Sequence, residues 1–116
     1  MLPKINRLNS AKDFQNVTKT GVRVYCDVAV IYALANPSSQ QNSQIGLIVS
    51  KLVGNSVVRH KTSRQIRNIV KEILPQIPSN IQIVIRATPE ITLKDFLEIN
   101  KSITDAVLKS IVKANV

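Results

Sequence analysis

Cysteine and histidine are almost missing from this chain of 116 residues: Cys26 and His60 are the single examples of each. One cysteine cannot close an intrachain disulfide. That suits a reducing compartment and makes Cys26 a small buried hydrophobe by expectation. One histidine and one cysteine leave little material for a Ser-His or Cys-His nucleophilic site. They leave equally little for a structural zinc site, which wants four Cys or His ligands. Acids are scarce too. The seven are Asp13, Asp27, Glu72, Glu90, Asp95, Glu98 and Asp105, and they form no D-x-D or similar metal pattern. Asp95 and Glu98 have the spacing of one helix face, but Lys94, Lys101 and Lys109 share the segment. A solvated face explains that mixture better than a metal does. Asp13 and Asp95 are accounted for as acids near helix N-termini, where the dipole favours negative charge. No metal site in the protein is expected.

Aromatics are 3% of the chain, namely Phe14, Tyr25, Tyr32 and Phe96, with no tryptophan. That is too few, and too scattered, for an RRM-type sheet of stacking rings. Phe14 and Tyr32 are explained equally well as core residues or as stacking rings at a cleft. No apolar run approaches the ~20 residues that cross a bilayer. The opening also lacks an apolar stretch of about 7–15 residues followed by a small-residue cleavage site. A cytoplasmic protein without a membrane partner is expected.

What the chain does have is positive charge. Sixteen Lys and Arg against seven acids give a formal net charge of +9. Such a chain attracts polyanions over distance. The charge is concentrated between Lys51 and Lys71: Lys51, Arg59, Lys61, Arg64, Arg67 and Lys71 are all basic, His60 lies among them, and no acid interrupts them. A solvated helix usually interleaves Glu with Lys; this one does not. Three of the six are arginines, whose planar fork bonds phosphate bidentately. The Gly54-Asn55 pair precedes the expected helix, so the backbone N–H groups of its N-terminus add to the attraction for phosphate. Nucleic acid is the partner these residues favour.

At 44% hydrophobic residues, a single domain over 1–116 can bury roughly 65% of its unfolded surface. Ser10 and Asp13 have capping-box spacing, which predicts a helix over 10–20 ending at Gly21. Val, Ile and Tyr enrichment predicts strand over 22–34. Residues 36–43 offer no core side chain and suit the tip of a long hairpin returning as strand 45–50. Asn55 or Ser56 caps a helix over 56–74, with Ile66, Ile69, Val70, Ile73 and Leu74 on its buried face. His60, Arg64, Arg67 and Lys71 lie together beside that face, and Arg59 and Lys61 project elsewhere. The stretch 81–87 has the pattern of a fully buried strand. Thr92 with Asp95 forms a second capping box for a helix over 92–114, burying Leu93, Phe96, Leu97, Ile103, Val107 and Ile111. The order is that of an α+β sandwich, one sheet packed with helices.

These residues resemble a known family, the protein subunit of bacterial ribonuclease P. Its motif, S-K-K-x-G-N-A-V-x-R-N-R-x-K-R-x-x-R after a glycine-led strand, is matched by GLIVSKLVGNSVVRHKTSRQIR. Ser50, Lys51, Gly54, Asn55, Val57, Arg59, Arg64 and Arg67 fall in register. Upstream, RLNSAKDFQNVTKTG is similar to the family's opening, with Arg7, Leu8, Asp13, Phe14, Val17 and Gly21 matching. The resemblance implies an αβββαβα fold: about four strands, three helices and a left-handed βαβ crossover, against the usual hand. It implies removal of the 5′ leader of precursor tRNA by an endoribonuclease whose catalyst is a large RNA using Mg²⁺. The protein would assist, and would be monomeric before assembly. By position, Lys51, Arg59, His60, Lys61, Arg64, Arg67 and Lys71 would face that RNA, and Phe14, Tyr32 and Lys51 would line a cleft for the leader.

Several positions depart from the family. His60 stands in place of Asn, Lys61 in place of the second Arg, Ser63 in place of a basic residue, and Leu52 in place of the second Lys. Thr18 lies where many members have a second cleft aromatic. A weaker or altered leader contact is expected. The rival reading is a structural RNA-binding protein of ribosomal or chaperone type, which needs no leader groove. A DNA reader lacks the upstream helix of a helix-turn-helix, and an autonomous nuclease lacks the catalytic side chains.

Overall fold

The computed structural model describes residues 6–8, 10–35 and 42–114. Three helices pack on one four-stranded mixed sheet: α1 (Ala11–Thr20), β1 (Val22–Tyr25), β2 (Ala29–Ala35), β3 (Gln44–Ile48), α2 (Ser56–Ile73), β4 (Ile81–Ala87) and α3 (Phe96–Ala114). The strand order is β1-β2-β4-β3. β1 and β4 run antiparallel to β2, and β3 runs parallel to β4.

Two strand expectations need correction. The strand expected over 22–34 is a hairpin. The chain turns at Cys26, whose amide N–H donates to the Ala29 carbonyl at 3.0 Å. Cys26 is half-buried at this corner rather than in the core. The long hairpin expected around 36–43 does not exist either, because β2 pairs with β1 and β4 and never with β3. Residues 36–41 lie outside those described. An interstrand loop and a crossover loop have the same polar composition, so sequence could not separate them.

Alternation along the strands divides the core in two. Val24, Ile31, Ala33, Ile45, Ile81, Ile83 and Ile85 point to one face, where Ile66, Ile69, Val70 and Ile73 of α2 and Ile99, Ile103, Val107 and Ile111 of α3 meet them. Each fully buried isoleucine contributes about 1.5–3 kcal/mol by burial. The opposite face carries Val30, Tyr32 and Val84, packed by Leu8, Val17 and the half-buried Phe14. Among the described residues α1 is the helix that covers that face, lying over β2 and β4. β4 is therefore not buried on both sides as its composition suggests: Gln82 is half-buried and Arg86 is exposed.

Two close approaches fix α1 on the sheet. A Cβ at Gly21 would lie 2.5 Å from the Val17 carbonyl oxygen and 2.6 Å from that of Ala33, so only glycine permits this approach to β2. At Gly46 a Cβ would meet the Phe14 ring, 2.5 Å from Cε1. The segment before α1 also binds the outer edge of β3. The Leu8 N–H donates to the Ile45 carbonyl at 3.0 Å, and the buried Asn6 Nδ2 donates to the Ser43 carbonyl at 2.8 Å. An edge strand is thereby covered.

The helix ends also differ from their sequence signals. Ser10 occupies the N-cap of α1 without a side-chain cap bond. Thr92 belongs to a short 3-10 segment, Pro89–Leu93, and its hydroxyl donates to the Pro89 carbonyl. The acceptor that caps α3 is Asp95 Oδ1, 2.9 Å from the Glu98 amide nitrogen. Because α3 starts at Phe96, the expected burial of its first turn fails. Leu93 and Leu97 are 81% and 77% exposed, and Phe96 is exposed as well. Ile103, Val107 and Ile111 are buried as expected. No helix among the described residues is long and apolar enough to cross a membrane.

Asp95→Ala is expected to cost about 1 kcal/mol of stability, whereas Ser10→Ala should change it by less than about 0.5 kcal/mol. Urea unfolding of the two variants decides; equal losses would show that Ser10 caps α1 after all.

Candidate nucleic-acid interface

α2 exists because β3 and β4 are parallel and the chain must cross between them. Its start is set locally: the Asn55 side chain accepts a hydrogen bond from the Val58 amide at 3.0 Å. The turn before it is held by Ser50, whose carbonyl accepts from the Val53 amide at 3.1 Å and whose Oγ accepts from the Leu52 amide at 3.3 Å. Lys51 is exposed in this turn. One side of α2 is sealed into the core by Ile66, Ile69, Val70 and Ile73. Leu74 is half-buried in a short 3-10 segment, Leu74–Gln76, which follows the helix.

The basic residues of the segment do not form one stripe. Arg59, His60 and Arg67 border one shallow depression, together with Val49, Ser56 and Ser63. Arg59 was expected to point away from the others; instead it is half-buried beside them. Lys61 borders a different depression, with Val58, Thr62, Gln65, Ile91, Thr92 and Lys94. His60, Lys61, Arg64, Arg67 and Lys71 are all exposed. Among the described residues none of the six Lys and Arg of this segment is paired with a carboxylate. Arg59 Nε is buried and has no hydrogen-bond partner among the described residues. A buried, unpaired donor on a cation costs stability, and an incoming anion would remove that cost.

Phe14 and Tyr32, expected to line a cleft, lie on the other face of the sheet. A row of paired residues crosses it: Arg23 on β1, Tyr32 on β2, Val84 on β4 and Gly46 on β3. Phe14 lies over Gly46 at one end of the row. Phe14 and Tyr32 therefore belong to one cluster. Tyr32 is 6% exposed, so it is floor rather than a projecting ring. Thr18, one turn after Phe14, donates its hydroxyl to the Phe14 carbonyl at 3.0 Å. Tyr25, 69% exposed, and the exposed Arg23 lie on the part of this face nearest β1. Lys51 follows β3 at the end where Ile48 pairs with Arg86, and so lies between that end of the sheet and the start of α2.

Two residues were missed by sequence reasoning, Arg23 and Arg86. Both stand in apolar stretches that resemble buried strands. The signal available was parity: each is in phase with Tyr32 once the register is known. Among the described residues no group of three or more His, Cys, Asp or Glu side chains comes together.

The family model described as Ribonuclease P matches residues 2–111. The ribonuclease P protein component of Mycolicibacterium gilvum is 38% identical over 90 residues, 77% of this chain and 73% of that protein. That of Acidothermus cellulolyticus is 35% identical, over 85% of this chain and 82% of its own length. Among solved structures, the RNase P protein of Staphylococcus aureus superposes with a TM-score of 0.80 at 27% identity, covering 90% of this chain and 94% of that one. The RNase P protein of Thermotoga maritima, at 23% identity and a TM-score of 0.74 over 85% of this chain and 92% of that one, shares the fold. With a matching model over nearly all of its length and relatives above 30% identity, the chain belongs to the ribonuclease P family, as a protein component of that enzyme.

Proposed function

We propose that this subunit binds the catalytic RNA of ribonuclease P through Lys51, Arg59, His60, Lys61, Arg64, Arg67 and Lys71. The 5′ leader of precursor tRNA would enter the groove between α1 and the sheet, beside Phe14, Tyr32 and Lys51. On this reading the phosphodiester bond is hydrolysed in the RNA, with Mg²⁺ held by RNA and substrate, in the cytoplasm. The protein neutralises phosphates and orients the leader, which lowers the entropic cost of bringing substrate to the catalytic centre. The observation that carries the reading is the unneutralised basic face of α2, built on a helix whose other face is locked in the core. A structural RNA-binding protein would share that face, but family membership favours the processing enzyme.

The direct test is precursor-tRNA cleavage at low Mg²⁺ by the cognate ribonuclease P RNA, with and without the protein. Stimulation with a correct mature 5′ end is expected. No stimulation with the cognate RNA would overturn the proposal.

Two variants probe the interface itself. Arg64→Ala with Arg67→Ala should weaken binding to the RNA and flatten the dependence of log K on log salt by roughly one to two units. An unchanged slope would put the RNA elsewhere on the surface. Arg59→Met keeps an apolar stem and removes the buried, unpartnered donor. It should raise the thermal midpoint of the free protein by a few degrees, about 1 kcal/mol, while weakening RNA binding. A fall in both quantities would mean that Arg59 serves the fold.

A further inference from the structure

Three side chains from three strands meet on the open face of the sheet. Arg23 is the direct cross-strand partner of Tyr32, and Arg86 lies two residues beyond Val84, the partner of Tyr32 on β4. Both arginine Cζ atoms lie 5.8 Å from the centre of the Tyr32 ring. That is within range for a cation held by the electron-rich face of an aromatic ring. The two guanidinium groups are thus within twice that distance of each other. Among the described residues neither has a carboxylate partner. Both arginines are exposed, whereas the ring between them is 6% exposed.

This arrangement inverts the usual division of labour in a single-strand groove. A stacking platform needs a free ring face, and the ring of Tyr32 is buried and already contacted by two cations. The exposed groups are the guanidiniums, and they carry like charge. Two cations held together without a counterion are repelled until an anion joins them. Their planar forks match phosphate oxygens, and each can donate two parallel hydrogen bonds.

We infer that Arg23 and Arg86 form a clamp for the phosphodiester backbone of a single strand crossing this face, and that Tyr32 is a positioning residue that holds the two forks apart and aimed outward. The inference rests on the proposed use of the groove for the 5′ leader. It changes what the groove recognises. Phosphate contacts fix the course of a strand but carry no base information, so this part of the groove accepts leaders of any sequence. It also joins the two proposed surfaces: Arg86 pairs across β3 with Ile48, three residues before Lys51. A strand leaving the clamp at that end runs toward the basic helix.

The test uses the assembled holoenzyme. Its affinity is measured for precursor tRNA and for the same tRNA without a leader, at several salt concentrations, and the gain due to the leader is taken as the readout. Arg23→Ala with Arg86→Ala should remove most of that gain and lower its salt slope by about 1.4, the value for two phosphates on a single strand. The loss should be equal for leaders of different sequence. Arg23→Lys with Arg86→Lys should restore the slope, since the charges return, but only part of the gain. Tyr32→Leu removes the ring between the forks and should lower the gain with the salt slope kept, and Tyr32→Phe should restore it. The clamp is overturned if the double alanine variant, folded by its melting curve, retains the wild-type gain, or loses it with an unchanged slope. It is also overturned if the loss depends on leader sequence. No leader-dependent gain in the wild type would instead remove the leader groove itself, and the clamp with it.

Discussion

The parallel pairing of β3 with β4 is the constraint from which the rest of the structure follows. Two parallel neighbours cannot be joined by a hairpin; the chain has to travel the length of the sheet and return. Here the return is α2, and its isoleucines and valine are pressed on the same sheet face as α3. The basic residues are therefore presented on a helix that cannot rotate without exposing Ile66, Ile69 and Val70. The charge is mobile in sequence terms but fixed in space, because the hydrophobic face of the helix has one place to go.

The same pairing makes the two faces of the sheet unequal. α2 and α3 together exclude water from one face, whereas the ten-residue α1 covers part of the other. Residues that are in phase with the covered face become core. Residues of the opposite phase are core where α1 covers them and exposed where it does not, which is how Arg23 and Arg86 come to flank Tyr32. A glycine at position 46 lets the Phe14 ring approach β3 closely, and a glycine at position 21 lets α1 meet β2 closely.

Electrostatics and packing pull in opposite directions at Arg59. It shares a depression with His60 and Arg67, its Nε is buried, and among the described residues no acid relieves it. A sequence selected only for a stable fold would place a glutamate one turn away. The free protein instead keeps an unfavourable cluster, and such a cluster becomes favourable when a polyanion supplies the missing charge.

Much of this was legible in the chain. Scarce histidine, cysteine and clustered acids left little material for a protein-based catalytic site. The acid-free, base-rich stretch from Lys51 to Lys71 pointed to a polyanion, and the G-N turn with the arginines after it pointed to the ribonuclease P family. Helical periodicity located the buried face of α2, because that face depends only on residues three and four apart. Strand pairing was not legible in the same way. The polar stretch after Ala35 has the composition of a hairpin tip, yet it joins strands that do not touch. The first turn expected for α3 was misjudged because Asp95, not Thr92, supplies the cap, which leaves Leu93 and Leu97 in solvent. What the sequence by itself determined was composition, charge and local period, each of which acts between near neighbours. Only the tertiary structure decided which strands lie side by side, and therefore that Arg23 and Arg86, 63 positions apart in the chain, converge on one tyrosine; register is a long-range property of paired backbones, and no local pattern encodes it.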